Sequence, residues 1–478
     1  MLQIEFGYLH VTLLVLLYAG SAACAVHAVM DTRTAQGATA WIIGLISFPF
    51  IALPLYLIFG RRRFVGYVND RRSAIRELRR LEALGSLERP DLAQLPDREL
   101  STLRVLERLS AMPFTKGNGL ELLIDGKATF AAILRAIEAA ERYVLVQFYI
   151  VRDDGLGERL AQALRAAAAR GVTVHLLYDE IGSSRTPDAF FEGLRGCGIG
   201  VSPFNSANRR RNRWQVNFRN HRKIVVTDGC LAFVGGHNVG DEYLGLDPKF
   251  GRWRDTHLAL EGPVVIATQW AFHEDWFWAT GERLRHLSWH AHSAAADRNA
   301  LVLPSGPADE VETCQLFFTQ MINAASRRIW LVSPYYVPDQ AIVTALQLAV
   351  LRGVEVRVLI PDQPDHKIVW LAAFPYLQEA DRAGIAIHRY TGGFLHQKVL
   401  LVDEGLAAVG TANLDNRSLR LNFEITVLGA DRDFAAKVEA MLLADFAESR
   451  RFHAEELRER GWLFRFAARS ARLMAPIL

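Results

Sequence analysis

Two stretches of the 478-residue chain share a spacing that could do chemistry. They are His221-Arg222-Lys223-Ile224-Val225-Val226-Thr227-Asp228 and His396-Gln397-Lys398-Val399-Leu400-Leu401-Val402-Asp403, both of the form HxKxxxxD. Equally far beyond each comes a glycine-containing turn ending in asparagine, Gly235-Gly236-His237-Asn238 and Gly410-Thr411-Ala412-Asn413. Both motif segments read as β-strands, where residues two apart share a face, so each histidine points with its own lysine. Burying two imidazoles and two ammonium groups together is costly unless an anion joins them. A phosphodiester is such an anion. Lys223 and Lys398, with the amides of Asn238 and Asn413, can hold its non-bridging oxygens and stabilise the charge of five-coordinate phosphorus. One imidazole can attack phosphorus in line while the other protonates the leaving oxygen. That requires one neutral and one protonated ring, and a reference pKa near 6.5 makes both accessible. Asp228 and Asp403 fall on the opposite strand face from their histidines, which assigns them to holding the motif together.

The elements that must position these residues are themselves repeated. Arg142–Val151 (RYVLVQFYIV) matches Arg328–Val337 (RIWLVSPYYV), and the run from Arg170 to Asp179 matches the run from Arg352 to Asp362, in the same order. Short apolar β-rich runs alternate with Ala-rich helical stretches such as Leu160–Ala169 and Ile342–Leu351, the pattern of helices packed on a mixed sheet. The expected fold is α/β: two tandem sandwich lobes, 117–295 and 296–478, with a Gly/Pro seam near Pro304 to Pro307. Two copies of the motif in register inside an independent repeat are not a chance match.

Ahead of the lobes, Val11–Met30 and Ala40–Phe59 are apolar runs long enough to cross the hydrocarbon layer. They predict a membrane hairpin over 1–63, followed by a helical linker over 64–116. The residues before the first run contain Glu5 and no Lys or Arg, which excludes a secretory signal. Pro49 and Pro54 interrupt the second run, leaving a re-entrant segment open as the alternative. Arg61, Arg62, Arg63, Arg71, Arg72, Arg76, Arg79 and Arg80 follow it, so the positive-inside rule places the lobes in the cytoplasm. These arginines also lie where anionic headgroups would be. A net charge of +3 is too small for a global nucleic-acid field, and four scattered cysteines suggest neither zinc nor a disulfide framework.

The paired motifs with their G(G/T)xN turns resemble those of the phospholipase D superfamily. More narrowly, the chain resembles the bacterial cardiolipin synthases with two amino-terminal spans. The strings that carry this are Thr32-Arg33-Thr34 with Ala40-Trp41, Asn220-His221-Arg222-Lys223, Trp253-Arg254-Asp255, Thr411-Ala412-Asn413-Leu414-Asp415 and Arg417-Ser418. The resemblance implies a ping-pong transfer in the bacterial inner membrane, with no metal or nucleotide. A phosphatidyl group passes from phosphatidylglycerol to a histidine, glycerol leaves, and a second phosphatidylglycerol accepts the group to give cardiolipin. It further implies that an acidic residue beyond each motif orients a histidine, for which Asp255 and Glu424 are suitably placed, against a competing reading as strand-edge carboxylates. It favours His221 as nucleophile and His396 as acid, although the near-symmetry of the site allows the reverse.

Two arginine-rich segments stand outside this scheme. Arg209, Arg210, Arg211, Arg213 and Arg219, with Trp214 and Phe218, form a loop suited to headgroups or single-stranded nucleic acid. Trp462–Leu473 places arginines on one helical side and Trp462, Phe466 and Leu473 on the adjoining arc, for the membrane interface or for packing on the second lobe. A tethered nuclease predicts a basic groove along both lobes, whereas these arginines cluster beside the expected bilayer and in one loop, which argues against nucleic acid. A silent scaffold predicts damaged motifs, and both are intact. A phospholipase D-type hydrolase remains the close alternative to synthesis.

Overall fold

The computed structural model of the chain describes residues 2–32, 34–60, 67, 97–205, 217–290 and 292–478. Two compact units emerge, one containing residues 1–69 and 208–218, the other 70–207 and 219–478. The juxtamembrane arginines, most of the linker and Arg209 to Trp214 lie outside the described residues.

In the first unit, Leu2–Asp31 is one continuous helix whose stretch Tyr8–Asp31 is long and apolar enough to cross a bilayer. The second apolar run, expected as a span over Ala40–Phe59 interrupted by Pro49 and Pro54, is not one helix. It forms two helices, Ala35–Ser47 and Pro49–Phe59, separated at Phe48 (φ −136°, ψ 59°). The cause is local: a proline disfavours helical geometry in the residue before it, and its fixed φ suits the first position of a new helix. At 1.5 Å per residue neither piece alone spans about 30 Å of hydrocarbon. Ala28, Leu45, Ala52 and Tyr56 pack the three helices together, and His27 Nδ1 lies 2.7 Å from Tyr56 Oη.

The second unit repeats one strand order twice. In the first lobe it is Thr115–Ile124, Thr256–Glu261, Leu231–Gly235, Ile224–Thr227, Tyr143–Phe148, Thr173–Tyr178, Gly200–Pro203. In the second it is Arg298–Ser305, Asn422–Ala430, Leu406–Gly410, Val399–Val402, Arg328–Val332, Glu355–Pro361, Ala386–Tyr390. Within each lobe the first four joints are antiparallel and the last two parallel. The parallel joints need crossover helices, and the repeated sequences supply them. Asp154 and Asp339 cap Gly155–Ala169 and Gln340–Leu351 by accepting from Gly157 N and Ile342 N. Gly171 and Gly353, at φ 88° and 81°, end both helices in the left-handed geometry that glycine adopts without strain.

The lobes join where Thr115–Ile124 pairs antiparallel with Arg298–Ser305, so a single sheet runs through both. This moves the expected seam. Pro304 sits inside a strand opposite Ile425, while pairing with the first lobe extends only to Ala300, so one edge beside the proline carries no ladder to break. Among the described residues, apolar side chains of the crossover helices and of one strand face pack into a core in each lobe.

Two buried ion pairs hold the helices behind the motifs. Arg254 donates Nε and Nη2 to both oxygens of Asp445, at 2.6 and 2.8 Å, across the lobe boundary. Arg222 donates Nη1 to Asp275 at 2.9 Å and reaches the carbonyl oxygens of Glu424 and Ser305 in the other lobe. Removing one partner of a buried pair leaves an uncompensated charge. Asp445→Ala is therefore expected to destabilise the second unit by about 3–5 kcal/mol, read as a lowered midpoint in denaturant titration of the purified protein.

Candidate active site

The motif histidines do not lie in the strands themselves. Ile224–Thr227 and Val399–Val402 are the strands, and His221–Lys223 and His396–Lys398 are the extended segments leading into them. The reason is a crossing of the chain from lobe to lobe just upstream. Arg219–Asn220 pairs in parallel with Asn422–Phe423, and Phe394–Leu395 with Trp253–Arg254. His221 N then donates to Phe423 O (2.9 Å) and His396 N to Arg254 O (2.8 Å), so the other lobe fixes each histidine's backbone.

The imidazoles are held the same way. Glu424 Oε2 lies 2.9 Å from His221 Nδ1, and Asp255 Oδ2 lies 2.7 Å from His396 Nδ1. The carboxylates are exchanged: each lobe supplies the one that holds the other lobe's ring. A carboxylate accepting from Nδ1–H leaves Nε2 as the reactive nitrogen. Both carboxylates are fully buried and further bonded. Glu424 accepts from Thr411 Oγ1 (2.5 Å) and Asn422 Nδ2 (3.2 Å), and Asp255 from Thr256 N (2.8 Å). At the position of Thr411, the first lobe has Gly236. A Cβ there would stand 2.0 Å from Asp255 Oδ1, so the glycine makes room for the carboxylate.

The lysines are buried beside their histidines. Lys223 Nζ donates to His221 O at 2.7 Å and sits 5.4 Å from the Tyr149 ring centre, and that ring meets His221 edge-on. Lys398 Nζ donates to His396 O and lies 3.0 and 3.1 Å from the two His396 nitrogens. Trp253, Phe394 and Tyr243 surround His396. Burial, then the charges of Lys398, Lys223 and His221, hold the His396 pKa well below its usual value. Burial pulls His221 down to about 4, with Lys223 and Lys398 adding to the shift against the opposing pull of Glu424. Burial lowers Lys398 to about 8 and Lys223 well below the ordinary lysine value. Burial alone would raise Glu424, but His221 and Lys223 bring it below the usual carboxylate range. Residues of both lobes thus form one electrostatic unit that disfavours further protonation of its imidazoles, a bias that a bound anion would offset.

The remaining expected site residues divide. Asp228 and Asp403 sit in left-handed turns (φ 55° and 49°) at the strand ends, away from the histidines. Asp228 accepts the backbone N–H groups of Glu141, Arg142 and Tyr143 at 2.8–2.9 Å, and Asp403 those of Ser326, Arg327 and Arg328 at 2.8–3.0 Å. They clamp the start of the neighbouring strand. The Asn238 amide, expected at the anion, is engaged within the protein: Oδ1 accepts from Ile150 N and Nδ2 donates to Tyr243 Oη. Asn413 is buried and hydrogen-bonds the Asp415 side chain. Sequence reasoning passed over the residue between each His and Lys. Arg222 reaches Asp275 on the helix Val264–Thr280, and Gln397 Nε2 reaches Asp445 Oδ2 at 2.7 Å on the helix Arg432–Ala447. The buried trio His273-Glu274-Asp275 in an otherwise apolar helical run was the available signal for Asp275.

A family model described as cardiolipin synthase, PLD-like domain, matches residues 133–248 and 318–446, covering both motifs and the strands that carry them. The chain belongs to this family. A second model, phospholipase D-nuclease N-terminal, matches residues 20–61. Cardiolipin synthase A of Pseudomonas aeruginosa is 51% identical over 458 residues, 95% of this chain and 93% of the relative. Cardiolipin synthase A of Pseudomonas putida is 49% identical over 480 residues, 99% and 98% of the two chains. The crystal structure of a phosphatidylserine synthase from Haemophilus influenzae, at 16% identity and TM-score 0.61, covers 79% of this chain and 100% of that one, a likeness of fold. Membership makes the protein a membrane-associated phosphatidyltransferase of the phospholipase D superfamily.

Two outcomes follow from the exchanged carboxylates and the buried rings. Glu424→Gln and Asp255→Asn should each lower transfer by about 10²–10⁴-fold with little change in folding, because an amide no longer fixes the tautomer of the opposite lobe's histidine. Purified variants assayed beside thermal melts check this. Burial also depresses His237 and His257 to about 3, and these lie against each other at 3.3 Å between Nδ1 atoms. Their folded pKa values, like that of His221, lie below the unfolded 6.5, so the unfolded chain binds protons first as pH falls. Stability should be full above about pH 6.5 and fall progressively toward pH 4, measured as Tm against pH.

Proposed function

We propose that the protein is a cardiolipin synthase that moves a phosphatidyl group from one phosphatidylglycerol to another through a phosphohistidine. The observation that carries this reading is the exchanged pair of carboxylate–histidine contacts, which prepares two Nε2 atoms in one buried cluster beside Lys223 and Lys398. Names borne by relatives at about half identity over nearly the whole chain supply the lipid. His221 Nε2 attacks the phosphorus of the first phosphatidylglycerol. The bond to glycerol breaks as His396 delivers a proton to the leaving oxygen. His396, now neutral, takes the proton from the terminal hydroxyl of a second phosphatidylglycerol, whose oxygen attacks the phosphohistidine. Cardiolipin leaves and both rings are restored.

Since both imidazoles are depressed in the free site, His396 takes up its proton as the phosphodiester anion binds and offsets Lys223 and Lys398. The lysines supply the positive charge at phosphorus, so the mechanism uses no metal or nucleotide. One diester is exchanged for another, which makes the reaction nearly neutral and ties its direction to loss of glycerol. The first helix anchors the chain, the second apolar segment completes a multi-pass or re-entrant insertion, and the lobes face the cytoplasm.

Purified protein incubated with phosphatidylglycerol and EDTA should give cardiolipin and free glycerol, and excess glycerol should suppress the net yield. Phosphatidic acid as the main product would make the enzyme a hydrolase, and loss of activity in EDTA would overturn the metal-free mechanism. His221→Ala and His396→Ala should each abolish transfer. Labelled lipid trapped on the protein should vanish in His221→Ala and persist in His396→Ala; the opposite pattern exchanges their roles.

A further inference from the structure

The carboxy-terminal helix Trp462–Arg472 has two faces with different fates. Its inner face packs on the helix Lys367–Arg382: Ala468 and Ala471 are buried, and Phe464 meets the rings of Trp370 and Phe374 at 5.8 and 5.1 Å. Arg472 is fastened there, donating to Glu379 at 3.2 Å. The sequence offered membrane interface or packing as alternatives for this segment. The inner face takes the packing role, and it uses residues other than the Trp462–Phe466–Leu473 arc.

That arc remains outside. Trp462, Phe466, Arg469 and Leu473 fall on one helical row, and the apolar three are 66%, 62% and 82% exposed. Leu463 beside them is 72% exposed. The Trp462 and Phe466 rings stack at 5.8 Å and 9°. Arg465 borders the row, and the helix has no acidic residue. A continuous aromatic and aliphatic patch of this kind is rarely left to water.

We propose that this outer face docks on an anionic bilayer surface, with Trp462, Leu463, Phe466 and Leu473 at the headgroup–acyl boundary and Arg465 and Arg469 against lipid phosphates. Charge decides the occupant. In an isologous contact between two copies, the Arg465 and Arg469 side chains would oppose their own equivalents with no carboxylate on the helix to pair them, whereas anionic phosphates match them. Amphipathic tryptophan suits the headgroup level, and long arginines reach from it to phosphate. Docking of this helix would hold the second lobe at the lipid surface independently of the amino-terminal helix.

The test uses the full-length protein in phosphatidylcholine vesicles with and without phosphatidylserine, with bromine on the acyl chains. The emission difference between wild type and Trp462→Phe isolates the Trp462 ring. Bromolipid should quench that component in phosphatidylserine vesicles. Arg465→Gln with Arg469→Gln should cut the quenching at least severalfold, each arginine contributing about fivefold to surface affinity. His221→Ala should leave it intact, which separates this proposal from the catalytic assignment. Absence of quenching in anionic vesicles overturns the proposal, as does quenching indifferent to both phosphatidylserine and the two arginines. An unquenched Trp462 together with a detergent-stable dimer that Phe466→Ser dissociates would identify a second copy as the occupant instead.

Discussion

Four side chains capable of positive charge, His221, Lys223, His396 and Lys398, are buried in one place, and that is tolerable only if negative charge is supplied at fixed points. Glu424 and Asp255 supply it, each from the lobe opposite its histidine. Much of the second unit's architecture follows from this constraint. The chain must cross the lobe boundary just before each motif, and short parallel pairings make the crossing. The two half-sheets must be fixed relative to each other, and the antiparallel joint with the Arg254–Asp445 bridge provides the fixture.

The motifs, their lysines and the duplicated α/β lobes were legible because the repeat presents the same residue types twice at the same spacing. Strand alternation also separated Asp228 and Asp403 from the histidines, and the turns in which they cap a neighbouring strand agree with that. What could not be read was partnership across the repeat. Spacing along the chain relates Glu424 to His396, yet it contacts His221, more than two hundred residues away. The contacts of the Asn238 amide were unreadable for a related reason: its partners Ile150 and Tyr243 come together only in the folded lobe. The second apolar run fitted a span by length and composition, with its prolines as the visible interruption, and Pro49 acting on Phe48 is where it divides into two helices.

The two half-sites are alike without being identical. In the first lobe Gly236 withdraws to admit Asp255, while Thr411 stands in its place in the second lobe and donates to Glu424. His221 is faced by Tyr149 alone among the nearby aromatics described, and His396 by Trp253, Phe394 and Tyr243. Such differences are sufficient to give two chemically equal rings unequal proton affinities, which a division into nucleophile and acid requires.

The exchange of carboxylates also bears on how such a chain could arise. One lobe alone holds a histidine without its orienting acid and an acid without its histidine. A solitary half would lack both carboxylate–histidine contacts however well it folded, yet two identical halves related by a twofold axis would complete each other at once, the same strand pairing with itself at the joint. Fusion of two such genes end to end would preserve both contacts, remove the concentration dependence of assembly, and free each half to diverge.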